Sequence, residues 1–234
     1  MSNPTPDHIL RSDIYDDVYF SVEDGLAETR HVFLDSNNLP AAWSGKQSFT
    51  ICETGFGTGL NFFAVWDLFE RTAAPEAALH FISFEKHPLS AAKIRGALSH
   101  WVDDFGDKIE AFLAQYPLAI PGFHRVQLSP RIMLTLIFGD VNDAMPDLSA
   151  SVDCWFLDGF RPATNPDMWS EEVFANMARL SAENASYATF TAAGDVRRGL
   201  AVAGFSVEKI AGFGRKREMI CGHYARGNSE GDPS

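Results

Sequence analysis

From residue 49 onward, short apolar runs and helix-like stretches take turns along the chain, and this alternation narrows the possible folds more than any composition figure. The runs are FTICET (49–54), LHFISFE (79–85), RIMLTLIFGD (131–140), VDCWFLD (152–158), SYATFTA (186–192), FSVEKIA (205–211) and REMICGHY (217–224). Helical patterns occupy 60–71, 88–101, 170–181 and 195–204. Strands separated by helices predict a parallel sheet covered on both faces, since each crossover helix must lie against one face. Two places break the alternation. HRVQLSPRIMLTLIF (124–138) reads as two strands about a Ser-Pro turn, and GFGRK (212–216) is too short for a parallel crossover. The closing strand is therefore expected to run antiparallel to its neighbours.

With 234 residues, 46% of them hydrophobic, the chain can bury one large core. We expect an N-terminal extension over 1–48 packed on that core, a catalytic domain over 49–225, and a flexible tail over 226–234. No apolar run approaches the roughly 18 residues of a membrane span, and the N-terminus lacks the basic-then-apolar order of a signal peptide, so the expectation is a cytoplasmic protein with no membrane partner. Cys52, Cys154 and Cys221 lie in or beside apolar runs without CxxC spacing and read as buried reduced thiols. The seven histidines show neither HxxxH nor HxH spacing, and no metal site is expected. Net charge is −12, which disfavours broad adhesion to nucleic acid. It is uneven, however: residues 195–226 carry seven basic and three acidic side chains, an excess of +4 against −16 elsewhere. A polyanion could dock on that late segment alone.

ETGFGTG (53–59) ends the first confident strand and opens a helix, the position where open parallel sheets bind ligands. A dinucleotide fingerprint would read GxGxxG, but here Gly55, Gly57 and Gly59 alternate and Leu60 stands where the third fingerprint glycine would be. Glu53 would repel a pyrophosphate and suits a ligand carrying ammonium and sulfonium charge. Acidic-x-Gly-x-Gly-x-Gly is the pattern associated with S-adenosylmethionine. The next strand ends place Glu85 to accept ribose hydroxyls, Asp140 near the adenine amino group and Asp158 at a fourth edge; Asn61 and Lys86 are counted with the donor-binding set. In LDGFRPATNPDMW (157–169), Pro162 and Pro166 stiffen the loop, while Phe160 and Trp169 offer rings for a flat base. Asp158 is the candidate catalytic carboxylate, able to orient an amine and accept its proton. The sheet pattern is that of a Rossmann-like class I S-adenosylmethionine-dependent methyltransferase, mostly parallel with a C-terminal antiparallel hairpin.

DDVYFS (16–21), GLAETRHVFL (25–34), ETGFGTGLNF (53–62), HFISFEK (80–86), WFLDGFRPATNPDMW (155–169), ATFTAAGDVRRGL (188–200) and GFGRKREM (212–219) together resemble the methyltransferase domain of the MnmC family, also found alone as MnmD. The resemblance implies methylation of the aminomethyl group on the wobble uridine of transfer RNA, giving 5-methylaminomethyl-2-thiouridine. In bifunctional members of the family a fused FAD-dependent oxidoreductase domain supplies the amine; the resemblance therefore implies either one domain of such a protein, its oxidoreductase fused or separate, or a stand-alone member fed by another route to the aminomethyl nucleoside. Arg161 and Thr164 stand where the family has alanine and lysine, which removes one expected phosphate contact and offers Arg161 in its place. Arg215, Lys216 and Arg217 of the hairpin loop, flanked by Arg197 and Arg198, are expected to meet RNA phosphates as a flipped uridine enters. Tyr19 and Phe20 either line the donor pocket or pack the N-terminal segment. A methyltransferase acting on a small-molecule or protein amine is the alternative, motivated by the −12 charge. A nicotinamide-dependent oxidoreductase is disfavoured by the glycine spacing, and a non-catalytic RNA-binding protein would bind the donor without turnover.

Overall fold

The computed structural model describes residues 24–225 and the backbone of residues 11–12 and 17–18. Tyr19, Phe20 and the 226–234 tail lie outside the described residues. The elements run β1 (Arg11–Ser12), β2 (Asp17–Val18), α1 (Gly25–Thr29), β3 (Ser48–Glu53), α2 (Leu60–Thr72), β4 (Ala78–Glu85), α3 (Ala91–Ala97), α4 (Val102–Leu113), β5 (Gly122–Ser129) and β6 (Ile132–Phe138). They continue with α5 (Val141–Ala144), β7 (Val152–Phe156), α6 (Glu171–Leu180), β8 (Ser181–Thr189), α7 (Gly194–Val202), β9 (Glu208–Ala211) and β10 (Glu218–His223). A π-helical turn over Arg30–Asp35 extends α1.

Eight strands form one sheet in the order β5-β6-β4-β3-β7-β8-β10-β9. β6, β4, β3, β7 and β8 pair in parallel, as the alternating pattern predicts. β5 is antiparallel to β6, and β10 inserts antiparallel between β8 and β9. The two breaks in the sequence alternation are therefore the two antiparallel ends of the sheet.

Side chains alternate between faces with the two-residue period of a strand. Ile51, Phe81, Leu136 and Cys154 join one buried cluster with α2, α4 and residues 26–43, whereas Cys52, Ile82, Ile137 and Trp155 join a second with α6 and α7. The result is a three-layer α/β/α unit with a central sheet apolar on both sides. Val32, Phe33, Leu34 and Trp43, from the segment before β3, are buried within the first cluster.

The helix pattern expected over 88–101 divides in the structure. α3 is capped by Ser90, whose side chain accepts from Lys93 N, a short 3-10 turn spans Leu98–Trp101, and a separate helix, α4, follows over residues outside the expected pattern. α4 buries Phe105, Ile109 and Phe112, spaced to share one helix face, and leaves its acidic residues outward.

Arg131, in the β5–β6 turn, ties this frame together. Its guanidinium donates to the carbonyls of Ala77 at 2.9 Å and Ala74 at 2.8 Å and lies 5.4 Å from the Phe69 ring centre. It thus pairs carbonyls left over where α2 gives way to β4. Arg131→Met strands the half-buried Ala77 carbonyl and removes a second donor from the Ala74 carbonyl, which keeps Ala77 N, at about 1–3 kcal/mol. We expect a melting temperature lower by about 3–10 °C in thermal denaturation; an unchanged value contradicts the role.

Candidate active site

β3 has β4 on one side and β7 on the other, and the chain turns away in opposite directions from those neighbours. A crevice opens beyond the strand ends at such a point. Here it is a cavity of ≈ 1020 Å³. Its wall includes Gly55, Gly57, Asn61, Glu85, Lys86, Asp140, Asp158, Phe160, Arg161, Pro162, Arg215 and Lys216, so the structure gathers most of the expected residues in one place.

The floor is the glycine loop. Gly57 and Gly59 take φ of 54° and 83°, and a Cβ on Gly59 would sit 2.7 Å from the Phe56 ring, so Gly59 serves the turn into α2 rather than the cavity wall. Gly55 lies against the loop that follows β7: an added Cβ would come within 3.2 Å of the Asp158 carbonyl oxygen and the Gly159 Cα. Thr54 fastens the two loops, donating from Oγ1 to the Asp158 carbonyl at 2.7 Å.

The acids do different things. Glu85 Oε2 accepts from Gly57 N at 2.8 Å and Oε1 from His87 N at 2.7 Å. Burial nevertheless raises its pKa above the ordinary carboxylate value. Asp140 caps α5 by accepting from Asn142 N and pairs with Lys86 Nζ at 2.7 Å; against the pull of burial, these partners hold its carboxyl low. Asp158 Oδ1 accepts from Gly159 N and Oδ2 from Asn61 Nδ2, both at 2.7 Å. Burial pushes its pKa up to about 6, with Glu28 adding to the rise while Gly159, Asn61 and Lys216 oppose it.

Glu53 does not line the cavity. As the last residue of β3 it shares the face of Ile51, which α2 and the N-terminal segment cover, and its side chain is fully buried. It meets Asn61 Nδ2 and Ser83 Oγ instead of a ligand. Of the residues expected to bind the donor, Glu53 is therefore set behind the cavity wall.

Trp169 also stands behind the wall: its Nε1 donates to the Phe160 carbonyl and its ring packs edge-on against Phe190. Of the basic residues, Arg215 and Lys216 reach the cavity, while Arg217, Arg197 and Arg198 lie off it. Arg197 turns its Nε inward to a buried position while its charge acts on Glu218 at the start of β10, and Arg198 pairs with Asp195 on its own helix.

The N-terminal segment contributes more than the sequence indicates. Glu28 of α1 lines the cavity and pairs with Lys216 at 2.9 Å, and Lys216 Nζ lies 4.5 Å from the Phe190 ring centre. His31 Nε2 donates to the Ala211 carbonyl at 2.9 Å, and Thr29 Oγ1 to Asn61 Oδ1 at 2.7 Å. The stretch GLAETRHVFL, quoted above for its family resemblance, is where that signal lay.

Comparison with known proteins agrees with this geometry. A family model described as S-adenosyl-L-methionine-dependent methyltransferase matches residues 103–225, more than half of the chain, and the chain belongs to that family. Among curated proteins it is similar to the tRNA 5-methylaminomethyl-2-thiouridine biosynthesis bifunctional protein MnmC of Methylobacillus flagellatus, 52% identical over 213 residues, covering 90% of this chain and 33% of that protein. The protein of the same name from Pseudomonas aeruginosa PAO1 is 52% identical over 214 residues, with 90% and 33% covered. The chain thus spans about a third of the length of these relatives. The crystal structure of MNMC2 from Aquifex aeolicus shares the fold, with a TM-score of 0.74 at 22% identity over 92% of this chain and 66% of that one.

The raised pKa of Asp158 has a consequence for stability. The folded protein keeps this proton up to about pH 6, whereas the unfolded chain releases it near the ordinary carboxylate value, so stability falls as pH rises between those two points and the full cost is present above them. Asp158→Asn removes that cost. The melting-temperature difference, variant minus wild type, should be more positive at pH 8 than at pH 4; a difference independent of pH contradicts the assignment.

Proposed function

We propose that this chain uses S-adenosylmethionine to methylate the primary amine of a 5-aminomethyl-2-thiouridine at the wobble position of transfer RNA, giving 5-methylaminomethyl-2-thiouridine. One observation carries the reading: a buried carboxylate, Asp158, faces a cavity that also holds the glycine loop and two cations of the β9–β10 hairpin. Half-identity over nine-tenths of the chain to proteins named for that nucleoside supports the choice of acceptor.

The fit to the donor rests on features of the cavity itself. Gly55, where a side chain would collide with backbone, lets a ligand's methionine end lie close; Glu85 and Asp140 stand at successive strand ends for the ribose and the base. The donor supplies a methyl group activated by a sulfonium. Asp158 does the rest of the chemistry assigned to this chain. An amine attacks only when neutral, and a carboxylate with a pKa near 6 is ionised at neutral pH yet basic enough to take the proton as charge moves onto nitrogen. Phe160 and Pro162 shape the acceptor side, and Arg161, Arg215 and Lys216 put positive charge where phosphates of an entering nucleotide would pass.

The amine itself must come from an enzyme that removes a substituent from it. The proposal includes an FAD-dependent oxidoreductase, separate or fused, as that source; the relatives named above are described as bifunctional. Action on transfer RNA would also place the protein in the cytoplasm. Among the described residues no helix is long and apolar enough to cross a membrane.

Incubation with hypomodified transfer RNA and labelled donor, followed by nucleoside mass spectrometry, tests the reading. The expected product is an aminomethyluridine heavier by one methyl group; label on free amines or protein but not on RNA favours the small-amine alternative that the −12 charge suggests. Asp158→Ala should lower kcat by about 10²–10⁴, and full activity in a folded variant removes the role. Arg217→Glu, at the exposed edge of the hairpin, should raise KM for transfer RNA several-fold and leave donor affinity unchanged; unaltered RNA kinetics contradict the basic hairpin as an RNA contact.

A further inference from the structure

One side-chain amide joins the two most deeply placed acids of the site. Asn61 Nδ2 donates to Glu53 Oε1 at 2.8 Å and to Asp158 Oδ2 at 2.7 Å. Thr29 Oγ1 occupies Asn61 Oδ1, and Ser83 Oγ meets Glu53 Oε2, both at 2.7 Å. With both hydrogens and the carbonyl of the amide engaged, the group cannot flip without losing partners on two carboxyls and a hydroxyl. Two acceptors on the two hydrogens of one nitrogen stand roughly 5 Å apart. Both cannot ionise cheaply at that separation away from water. Asp158 borders the cavity, where solvent reaches it; Glu53 is fully buried and does not.

We infer that Glu53, held uncharged behind the glycine loop, is a positioning residue for methyl transfer: through Asn61 it aims Asp158 Oδ2 and leaves Asp158 as the carboxylate that takes the acceptor's proton. This deepens the role proposed for Asp158 and rests on it. Every element around the pair supplies a charge or a polar group that bears on it. Burial first and the neighbouring Asp158 charge second drive the Glu53 pKa well above the ordinary value, with Glu85 of β4 adding to the rise and Ser83 and Asn61 opposing it. On Asp158, Glu28 of α1 pushes upward and Lys216 of the hairpin downward. His87 faces Glu85, and Lys86 is taken up by Asp140. Neutral Glu53 keeps both contacts: a protonated Oε2 donates a hydrogen bond to Ser83 Oγ, the reverse of the direction a charged carboxylate takes there, while Oε1 accepts from Asn61.

Carboxyl carbon NMR of the wild-type protein across about pH 5 to 8 tests this without RNA. Glu53 should stay protonated throughout while Asp158 titrates near about 6; an ionised Glu53 at pH 7 overturns the inference. Glu53→Leu should lower kcat about tenfold and displace the Asp158 titration, with donor Kd changed less than about twofold. Glu53→Gln, whose amide can give a hydrogen to Ser83 and accept one from Asn61, should restore both kcat and the titration. A rise in donor Kd in the Gln variant would instead make Glu53 a donor ligand and overturn the inference. Should the Leu variant fail to fold, the wild-type titration and the Gln variant decide. If the wild type fails to methylate aminomethyluridine, the acceptor reading falls, and the carboxyl titration still decides the state of Glu53.

Discussion

β3 is the strand on which the site depends, because it pairs in parallel on both edges while the chain leaves its two neighbours in opposite directions, β4 towards β6 and β7 towards β8. No crossover helix can cover the point where those departures diverge. The loops after β3, β4, β6 and β7 therefore border one opening, and the residues just past those strand ends face one another although they lie as far apart in sequence as Gly55 and Asp158. Backbone contacts make the arrangement rigid: Gly55 meets the Asp158–Gly159 backbone, Thr54 binds the Asp158 carbonyl, and Gly57 N binds Glu85.

That rigidity has an electrostatic cost. Glu53, Glu85 and Asp158 all carry pKa values raised by burial, a strain on the fold that an apolar core would not bear. Asp140 is the contrast: with Lys86 and Asn142 as partners its carboxyl is held low. The raised values cluster around Asn61, and a carboxylate poised near neutrality is what proton transfer from an amine requires. The stability given up by desolvating these acids and the chemistry proposed for Asp158 have the same origin.

Much of this frame was legible in the sequence. Parallel strands announced themselves as apolar runs such as VDCWFLD, since a strand buried on both faces has no polar side, and the short GFGRK link already excluded a parallel ending. α4 was missed because Gly106 and a run of acids interrupt its appearance, although Phe105, Ile109 and Phe112 carry its buried face. Glu53 stands at the expected strand end but behind the cavity wall: which face the last residue of a strand presents, and what covers that face, depend on distant segments. Thr29 and Glu28 were invisible for the same reason, since only tertiary packing brings α1 against Asn61 and Lys216. Arg198 stays exposed while pairing with Asp195 on its own helix, a local contact that the sequence spacing of the two residues allows.

Fold, family and site geometry define the methyl donor's side of the reaction, while similarity to the MnmC proteins supplies the acceptor. The central claim is that the two meet at Asp158. A crystal structure with S-adenosylhomocysteine bound tests it most directly. The account predicts the homocysteine end on the glycine loop, the ribose at Glu85, and the sulfur facing the Asp158 carboxylate with Glu53 untouched behind Asn61. A sulfur turned away from Asp158, or a ligand amine in contact with Glu53, would contradict it.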